Sequence, residues 1–295
     1  MAGPSPADAC PQRLTDALRW AIRLFVLRQA DSPRLDAELL LAHVMHVQRP
    51  WLLVHGNDCL STGQARQFSA LVHRALDDEP IAYLTGERPF YDVTLHVSPA
   101  VLIPRPETEH IVEEALAWAS RQKPGLRVVD VGTGSGALAI VLARHLPFAM
   151  VIGTDLSSEA LRVAAQNVQR HDLGARVHLL QADLLSALGG RFDLVVANLP
   201  YIDPLELPTL QPGVRDHEPR MALDGGPSGT AVILRLIAEL RAYLARPGLS
   251  LLECDPREAG TLLSAAREAL PDARVDMVKD LAGLDRVVRI ERSAL

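Results

Sequence analysis

The sequence predicts an α/β domain built on a mainly parallel sheet, preceded by a small helical bundle. Three observations carry this. From Arg127 onward, strand-length apolar runs alternate with helical runs, the pattern of a parallel sheet covered on both faces. Residues 13 to about 80 show helical spacing only. The length of 295 residues suits about two domains of ~150 residues each.

The elements follow in order. The first twelve or so residues are expected to fray. Leu14, Leu18, Ala21 and Phe25 recur at helical steps, so they share one helix face. Ser32 followed by Pro33 reads as an N-cap with proline at the first helical position, and Leu35, Leu39, Ala42 and His46 continue that helix. Ser61 with Gln64 forms a capping box ahead of the stripe Ala65, Phe68, Val72, Ala75. Asp77, Asp78 and Glu79 read as a solvated helix end. Gly86 to Pro99 alternates as a short β-hairpin linker, and Val101 to Glu109 is a shaped, proline-rich loop. The expected divisions are residues 1–85 (helical), 86–105 (linker) and 106–295 (α/β).

In the second part, a helix is expected from Thr108 to about Ser120. Strands follow at Arg127–Val131, Ala149–Thr154, Val177–Gln181, Asp193–Ala197, Leu249–Glu253, Val275–Val278 and Arg286–Ile290. Helices are expected at Ala137–Leu146, Ser157–His171, Gly229–Ala245 and Pro256–Leu270. The last two strands are joined by a segment too short for a parallel crossover, so the final pair should be antiparallel.

Composition narrows the function. Acidic residues outnumber basic ones 36 to 30, a net charge of −6, which argues against a protein that works by gripping nucleic-acid backbone. Aromatic residues are 4% of the chain, too few for a single-strand stacking platform. Cys10, Cys59 and Cys254 have no metal or redox spacing. No signal-peptide core opens the chain and no apolar run is long enough to span a bilayer. A soluble, cytoplasmic protein with no membrane or direct nucleic-acid partner is expected. His43 and His46 stand three apart without an evident third ligand, so no metal is expected. Cys254, at a strand end, is expected to be buried.

Two segments carry chemistry. Gly132, Thr133, Gly134, Ser135 and Gly136 stand where the first strand of the parallel set meets its helix. Glycines there let the backbone turn sharply and approach a ligand at the helix N-terminus; an ordinary strand–helix turn is the plain alternative. Asp155 ends the next strand, nineteen residues after Gly136, where a carboxylate accepts from both ribose hydroxyls. The spacing is Gly-x-Gly-x-Gly, tighter than the dinucleotide pattern. With no pyrophosphate to seat, it suits S-adenosylmethionine. Asp183 is either an acceptor for the adenine amino group or a helix cap.

The second segment is Asn198, Leu199, Pro200 and Tyr201, at the carboxyl end of the strand Asp193–Ala197. Ligands of open α/β sheets bind beyond that end. An Asn amide, carbonyls held by proline and a Tyr ring describe a cradle for a planar NH₂ group. The matching chemistry is methyl transfer to nitrogen. An amide nitrogen is a poor nucleophile, and acceptors on both of its N–H bonds return electron density to it. Arg105, Glu107 and Glu109 either tie the loop over the donor site by salt bridges or are simply exposed.

These segments resemble the HemK/PrmC family, the peptide chain release factor glutamine methyltransferases, over nearly the whole chain. Pro33–His43, Pro80–Gly86, Leu102–Glu109, the glycine loop, Glu218-Pro219, Ala222–Gly226 and Lys279–Val288 carry the likeness. The resemblance implies a seven-stranded, Rossmann-like class I methyltransferase domain and a helical domain that helps hold a protein substrate. The implied substrate is the glutamine of the Gly-Gly-Gln motif in class I release factors, methylated on its side-chain amide. Carried over by position, Gly132 to Gly136 and Asp155 bind the donor; Asp183 and Leu184 are expected beside its adenine. Asn198 touches donor and substrate, and Leu199, Pro200 and Tyr201 line the glutamine pocket, with Asn198, Pro200 and Tyr201 as the catalytic set. The family's Asn-Pro-Pro-Tyr reads Asn-Leu-Pro-Tyr here, Leu184 stands where relatives often place tryptophan, and Pro227-Ser228-Gly229 replaces the usual Asp-Gly. Rival readings are an adenine-N6 nucleic-acid methyltransferase, a donor-binding module weakened by Leu199, and a dehydrogenase, which requires NAD.

Overall fold

The computed structural model describes residues 10–294; the expectation of a fraying start falls mainly outside them. The chain divides into two compact units. One takes the described residues up to Gly86 together with Pro212–His217; the other takes Glu87–Gln211 and Glu218 onward.

The first unit is helical: α1 (Leu14–Leu27), α2 (Pro33–Met45), α3 (Arg49–Val54), α4 (Thr62–Leu76) and α5 (Ile81–Thr85). In α1 the buried positions are Leu14, Ala17, Ala21 and Phe25. The capping box is present at α4: Ser61 Oγ accepts from Gln64 N at 3.2 Å, and Gln64 Oε1 accepts from Ser61 N at 2.9 Å. At α2 Ser32 is the N-cap residue with Pro33 opening the helix, as expected, though its side chain makes no cap bond. The expected stripe is corrected. The inward stripe is Ala37, Leu40, Leu41 and Val44, whereas Leu35 and His46 are exposed. Its run Leu39-Leu40-Leu41-Ala42 is apolar on every side, so periodicity alone could not choose the face. Glu38 is buried there between Arg34 and Arg49. The short α3 and α5 carried no periodic signal. Asp77 and Asp78 are exposed, while Glu79 pairs with Arg74 at 2.7 Å.

The second unit begins with an antiparallel hairpin, β1 (Glu87–Phe90) and β2 (Val93–His96). Phe90, Val93 and Leu95 bury in the same core as the sheet, so the hairpin is packed into this unit and is no free linker. Then come α6 (Glu109–Ala119), β3 (Arg127–Val131), α7 (Ala137–His145), β4 (Met150–Asp155), α8 (Ser158–Arg170), β5 (Val177–Gln181) and β6 (Phe192–Ala197). After the single turn α9 (Pro212–Arg215) follow α10 (Ala231–Tyr243), β7 (Leu244–Glu253), α11 (Ala259–Ala269), β8 (Ala273–Lys279) and β9 (Asp285–Arg292).

The seven-stranded sheet has the order β5-β4-β3-β6-β7-β9-β8. Its first five strands are parallel, and β9 runs antiparallel to both β7 and β8. Asp280 closes the β8–β9 turn by accepting from the backbone of Ala282 and Leu284. The central strands β3 and β6 are buried on both faces, because helices cover both sides. The order reverses between β3 and β6, so a crevice opens beyond their carboxyl ends. β7 starts five residues earlier than the sequence suggested, where Leu244 pairs with Phe192 ahead of a bulge. Cys254 at its end is buried, as expected.

Candidate active site

A cavity of about 560 Å³ lies at that crevice, within the ~300–1,000 Å³ typical of small-molecule sites. Its wall comes from the turns after β3, β4, β5 and β6, from Pro99–Leu102, and from the segment around Met221.

The turn after β3 is a left-handed glycine path: Gly132, Gly134 and Gly136 have φ of 72°, 55° and 83°. Side chains rarely adopt such values, so glycine is the fitting residue. A Cβ at Gly132 would stand 2.8 Å from Leu199 Cδ2. Two carboxylates hold the path in place. Asp130 Oδ2 accepts from Thr133 Oγ1 at 2.6 Å and from Ala139 N at 3.1 Å. Asp155 Oδ2 accepts from Gly134 N at 2.9 Å, and its Oδ1 from Ser157 N at 2.8 Å. Burial pushes the Asp130 carboxyl up to about 7, against the pull of its hydrogen bonds. Burial also raises Asp155, opposed by its backbone donors. Asp155 lines the cavity, and each of its oxygens keeps acceptor capacity there.

At the far wall, Asp183 pairs with Arg235 at 2.7 Å, and both line the cavity. Asp183 thus serves an ion pair in the structure and caps no helix through its side chain. Leu184 is buried beneath it.

Beyond β6, Asn198, Leu199 and Pro200 line the same cavity as the glycine path. Asn198 Nδ2 donates to Thr108 Oγ1 at 2.8 Å. Leu199 is only 5% exposed and packs into the core under Gly132. The Pro200 carbonyl oxygen would lie 2.8 Å from a Cβ at Gly225, so it faces that glycine closely. The Leu199 carbonyl has no hydrogen-bond partner among the described residues. Two residues singled out from the sequence do not form the wall. Gly136 faces Ala164 and Ile140 as a packing glycine at the start of α7. Tyr201 turns into the core, and its hydroxyl donates to Glu253 Oε1 at 3.4 Å. Burial and the Glu253 carboxylate raise the Tyr201 hydroxyl well above its ordinary value.

The loop from Val101 to Glu109 borders the cavity through Val101, Leu102, Pro104 and Thr108. Of its three charged residues, Arg105 forms an ion pair, with the buried Glu218. Glu218 also accepts from Ile103 N at 3.3 Å. Glu109 accepts from Tyr91 N, and Glu107 is exposed.

Several contributing residues were not visible as such in the sequence. Asn167 is fully buried in α8; its Nδ2 donates to the carbonyls of His96 and Ser135, joining the hairpin to the glycine path. Its one signal is a polar residue within the buried stripe Val163, Ala164, Val168. Glu253, 1% exposed at the end of β7, accepts from the Tyr201 hydroxyl. His43 and His46 lie with ring centroids 6.4 Å apart. Among the described residues, no group of three His, Cys, Asp or Glu is placed to hold a metal ion.

Comparison with known proteins agrees with this architecture. Residues 16–86 match the PrmC N-terminal domain, and residues 128–216 match a methyltransferase domain. A release factor glutamine methyltransferase of Rhodopirellula baltica is 38% identical over 288 residues, covering 96% of this chain and 97% of the relative. The enzyme of that name from Escherichia coli K12 is 44% identical over 77% of this chain and 81% of its own length. Among solved structures, the T. thermophilus 16S rRNA N2 G1207 methyltransferase, in complex with AdoMet and guanosine, shares the fold. Its TM-score is 0.51 at 19% identity, over 70% of this chain and 49% of that one.

Proposed function

Since the chain belongs to the release factor glutamine methyltransferase family, we propose that it transfers a methyl group from S-adenosylmethionine to a glutamine side-chain amide. The acceptor is the glutamine of the Gly-Gly-Gln motif in class I release factors. The observation that carries this reading is the shared cavity. The glycine path after β3, Asp155 after β4 and Asn198–Pro200 after β6 converge on one space of about 560 Å³. The residues present fit the donor. The left-handed glycine path leaves room for close backbone approach, and the Asp155 carboxylate is a double acceptor for a ribose. Leu184 and the Asp183–Arg235 pair line the part of the cavity that would take the base.

When bound, S-adenosylmethionine supplies an electrophilic methyl carbon on a sulfonium sulfur. The protein's task is alignment, since a displacement needs reacting atoms ~3–3.5 Å apart and in line. Asn198 Oδ1 and the Leu199 carbonyl each accept one N–H of the glutamine amide, which fixes the plane of that group and returns electron density to its nitrogen. Pro200 holds the chain so that the Leu199 carbonyl keeps its direction. Tyr201 braces the segment from behind through Glu253. Buried aliphatic walls at Val101, Leu138 and Leu199 limit water near the sulfonium. The amide proton leaves to solvent after transfer. The helical unit helps hold the release factor, and the reaction belongs to the cytoplasm. No helix among the described residues is long and apolar enough to cross a membrane.

The test is incubation of the protein with the donor and a class I release factor, followed by mass spectrometry of the Gly-Gly-Gln peptide. One added methyl group on the glutamine is expected. Transfer to nucleic acid alone would reject the reading in favour of an adenine-N6 enzyme.

A further inference from the structure

The amide cradle is one side of a closed ring of chain. The loop Val101–Thr108 forms a second side, and the segment Glu218–Gly225 forms a third. Thr108 Oγ1 accepts from Asn198 Nδ2 at 2.8 Å, which joins the loop to the cradle. Ile202 N donates to Leu223 O at 3.0 Å, and Gly225 N to Ile202 O at 2.9 Å, which joins the third segment to the cradle's far end. Glu218 makes the remaining joint. Its Oε1 accepts from Arg105 Nη2 at 2.5 Å and its Oε2 from Ile103 N at 3.3 Å. All three sides wall the cavity: Leu102 and Pro104 from the loop, Asn198 and Pro200 from the cradle, Pro219 and Met221 from the third segment.

The loop carries the effect of that joint to the cradle. Glu218 is 5% exposed, and a carboxyl buried to that degree needs partners. It takes both of them from this one loop. Pro106 holds the arginine before it in extended backbone. Arg105 O then accepts from Thr108 N at 3.2 Å, so the arginine is tied directly to the residue that receives the Asn198 amide. Arg88, in β1, steadies the same stretch by donating from Nε to Pro104 O at 3.2 Å. The donor side has its own supports: Asp130 holds Thr133 and Ala139, and Asp155 holds Gly134.

The geometry points to Arg105 and Glu218 as a positioning pair that closes this ring and holds the Asn198 amide in place for the incoming glutamine, while the donor site stands on its own bonds. This rests on the proposed role of Asn198–Pro200 as the cradle of the glutamine amide. Two consequences follow from the form of the pair. It is a single Nη2–Oε1 contact and not a bidentate one, so a lysine ammonium is able to replace the guanidinium. Loss of Arg105 alone leaves a buried carboxyl without its counter-charge, whereas neutralising Glu218 as well removes that penalty.

The experiment compares Arg105→Met, Arg105→Lys, Glu218→Gln, the double variant Arg105→Met/Glu218→Gln and Asn198→Ala, each as the full-length protein. Steady-state kinetics on a class I release factor are read beside donor affinity by calorimetry. Rates are counted per donor-binding site, so that unfolded protein does not read as slow protein. Arg105→Met should lower kcat about 10–100-fold, the scale of a misplaced reacting group, with donor Kd held within about twofold. Glu218→Gln should be slowed in the same sense, and Arg105→Lys should keep most of the rate. The double variant should be no slower than Arg105→Met alone, because the carboxyl it would strand is no longer charged. Losses that multiply in the double variant would overturn the inference. So would a clear loss of donor affinity with kcat unchanged at saturating donor, which would assign the loop to the donor. An unchanged kcat in Arg105→Met beside an inactive Asn198→Ala would overturn it and leave the site reading standing. Full activity of Asn198→Ala would overturn both. If Arg105→Met binds no donor, the two milder variants decide. Arg105→Lys keeps the pair and Glu218→Gln does not, so equal rates for the two would overturn the inference.

Discussion

Leu199 and Gly132 belong to different strand ends of the site, and the leucine side chain occupies the space a side chain at 132 would take. The leucine stands where the family has its first proline. An alanine at 132 would meet Leu199 Cδ2 at 2.8 Å while holding a φ of 72°. The left-handed strain alone is worth about 1–2 kcal/mol, and each 1.4 kcal/mol corresponds to about tenfold in affinity. Gly132→Ala is therefore expected to weaken donor binding about tenfold or more by calorimetry. Leu199→Ala in the same chain should restore part of it by removing the clash, though not the strained φ. At this scale the sequence was informative where the rule is local. Glycine at a strand–helix turn and Asn-x-Pro-Tyr at a strand end announce themselves. Asn167 and Glu253 did not, because each owes its role to burial against partners distant in the chain, and Asp130 did not, because its role shows only in its burial against Thr133 and Ala139. Asp183 was read as an adenine acceptor or a cap, and its ion pair with Arg235 needed the fold to bring α10 beside the turn after β5.

Helices with one apolar stripe showed their inward face in the sequence, and α2, without one, was located but not oriented. α4 shows its stripe and its capping box, and both are present as read. α2 is apolar around most of its circumference, so its inward face was set by packing against α1 and α4 and not by periodicity. The antiparallel final pair followed from connection length alone, whereas the bulge that lengthens β7 left no trace in the sequence. The capping box offers a check on how separable the elements are. Ser61→Ala removes one acceptor from an exposed helix start and should cost about 1 kcal/mol. The cavity is lined wholly by residues of the second unit. Thermal or urea unfolding should therefore register the loss, while the donor Kd measured by calorimetry stays unchanged. A parallel loss of donor affinity would contradict the assignment of the donor site to that unit.

The whole molecule carries two opposed sets of carboxyls. Glu38, Asp92 and Asp272 are held below their ordinary values by hydrogen bonds and charge from arginine or histidine partners, against the cost of burial. Their contribution to stability is present above the unfolded carboxyl range, near pH ~4, and is lost as the pH falls below it. Asp130 and Glu253 are shifted the other way, each to about 7, chiefly by burial. The folded state keeps their protons longer than the unfolded chain does. Their contribution is complete below the unfolded range and disappears as the pH rises through about 7. Between them, these five groups favour the folded state most in the mildly acidic range. Asp130→Asn isolates one member of the second set, since an amide oxygen still accepts from Thr133 and Ala139 but carries no titrating proton. The melting temperature of the ligand-free protein should fall between pH 5 and pH 8, and that fall should be shallower in Asp130→Asn. Parallel curves for the two proteins would show that Asp130 does not supply this limb.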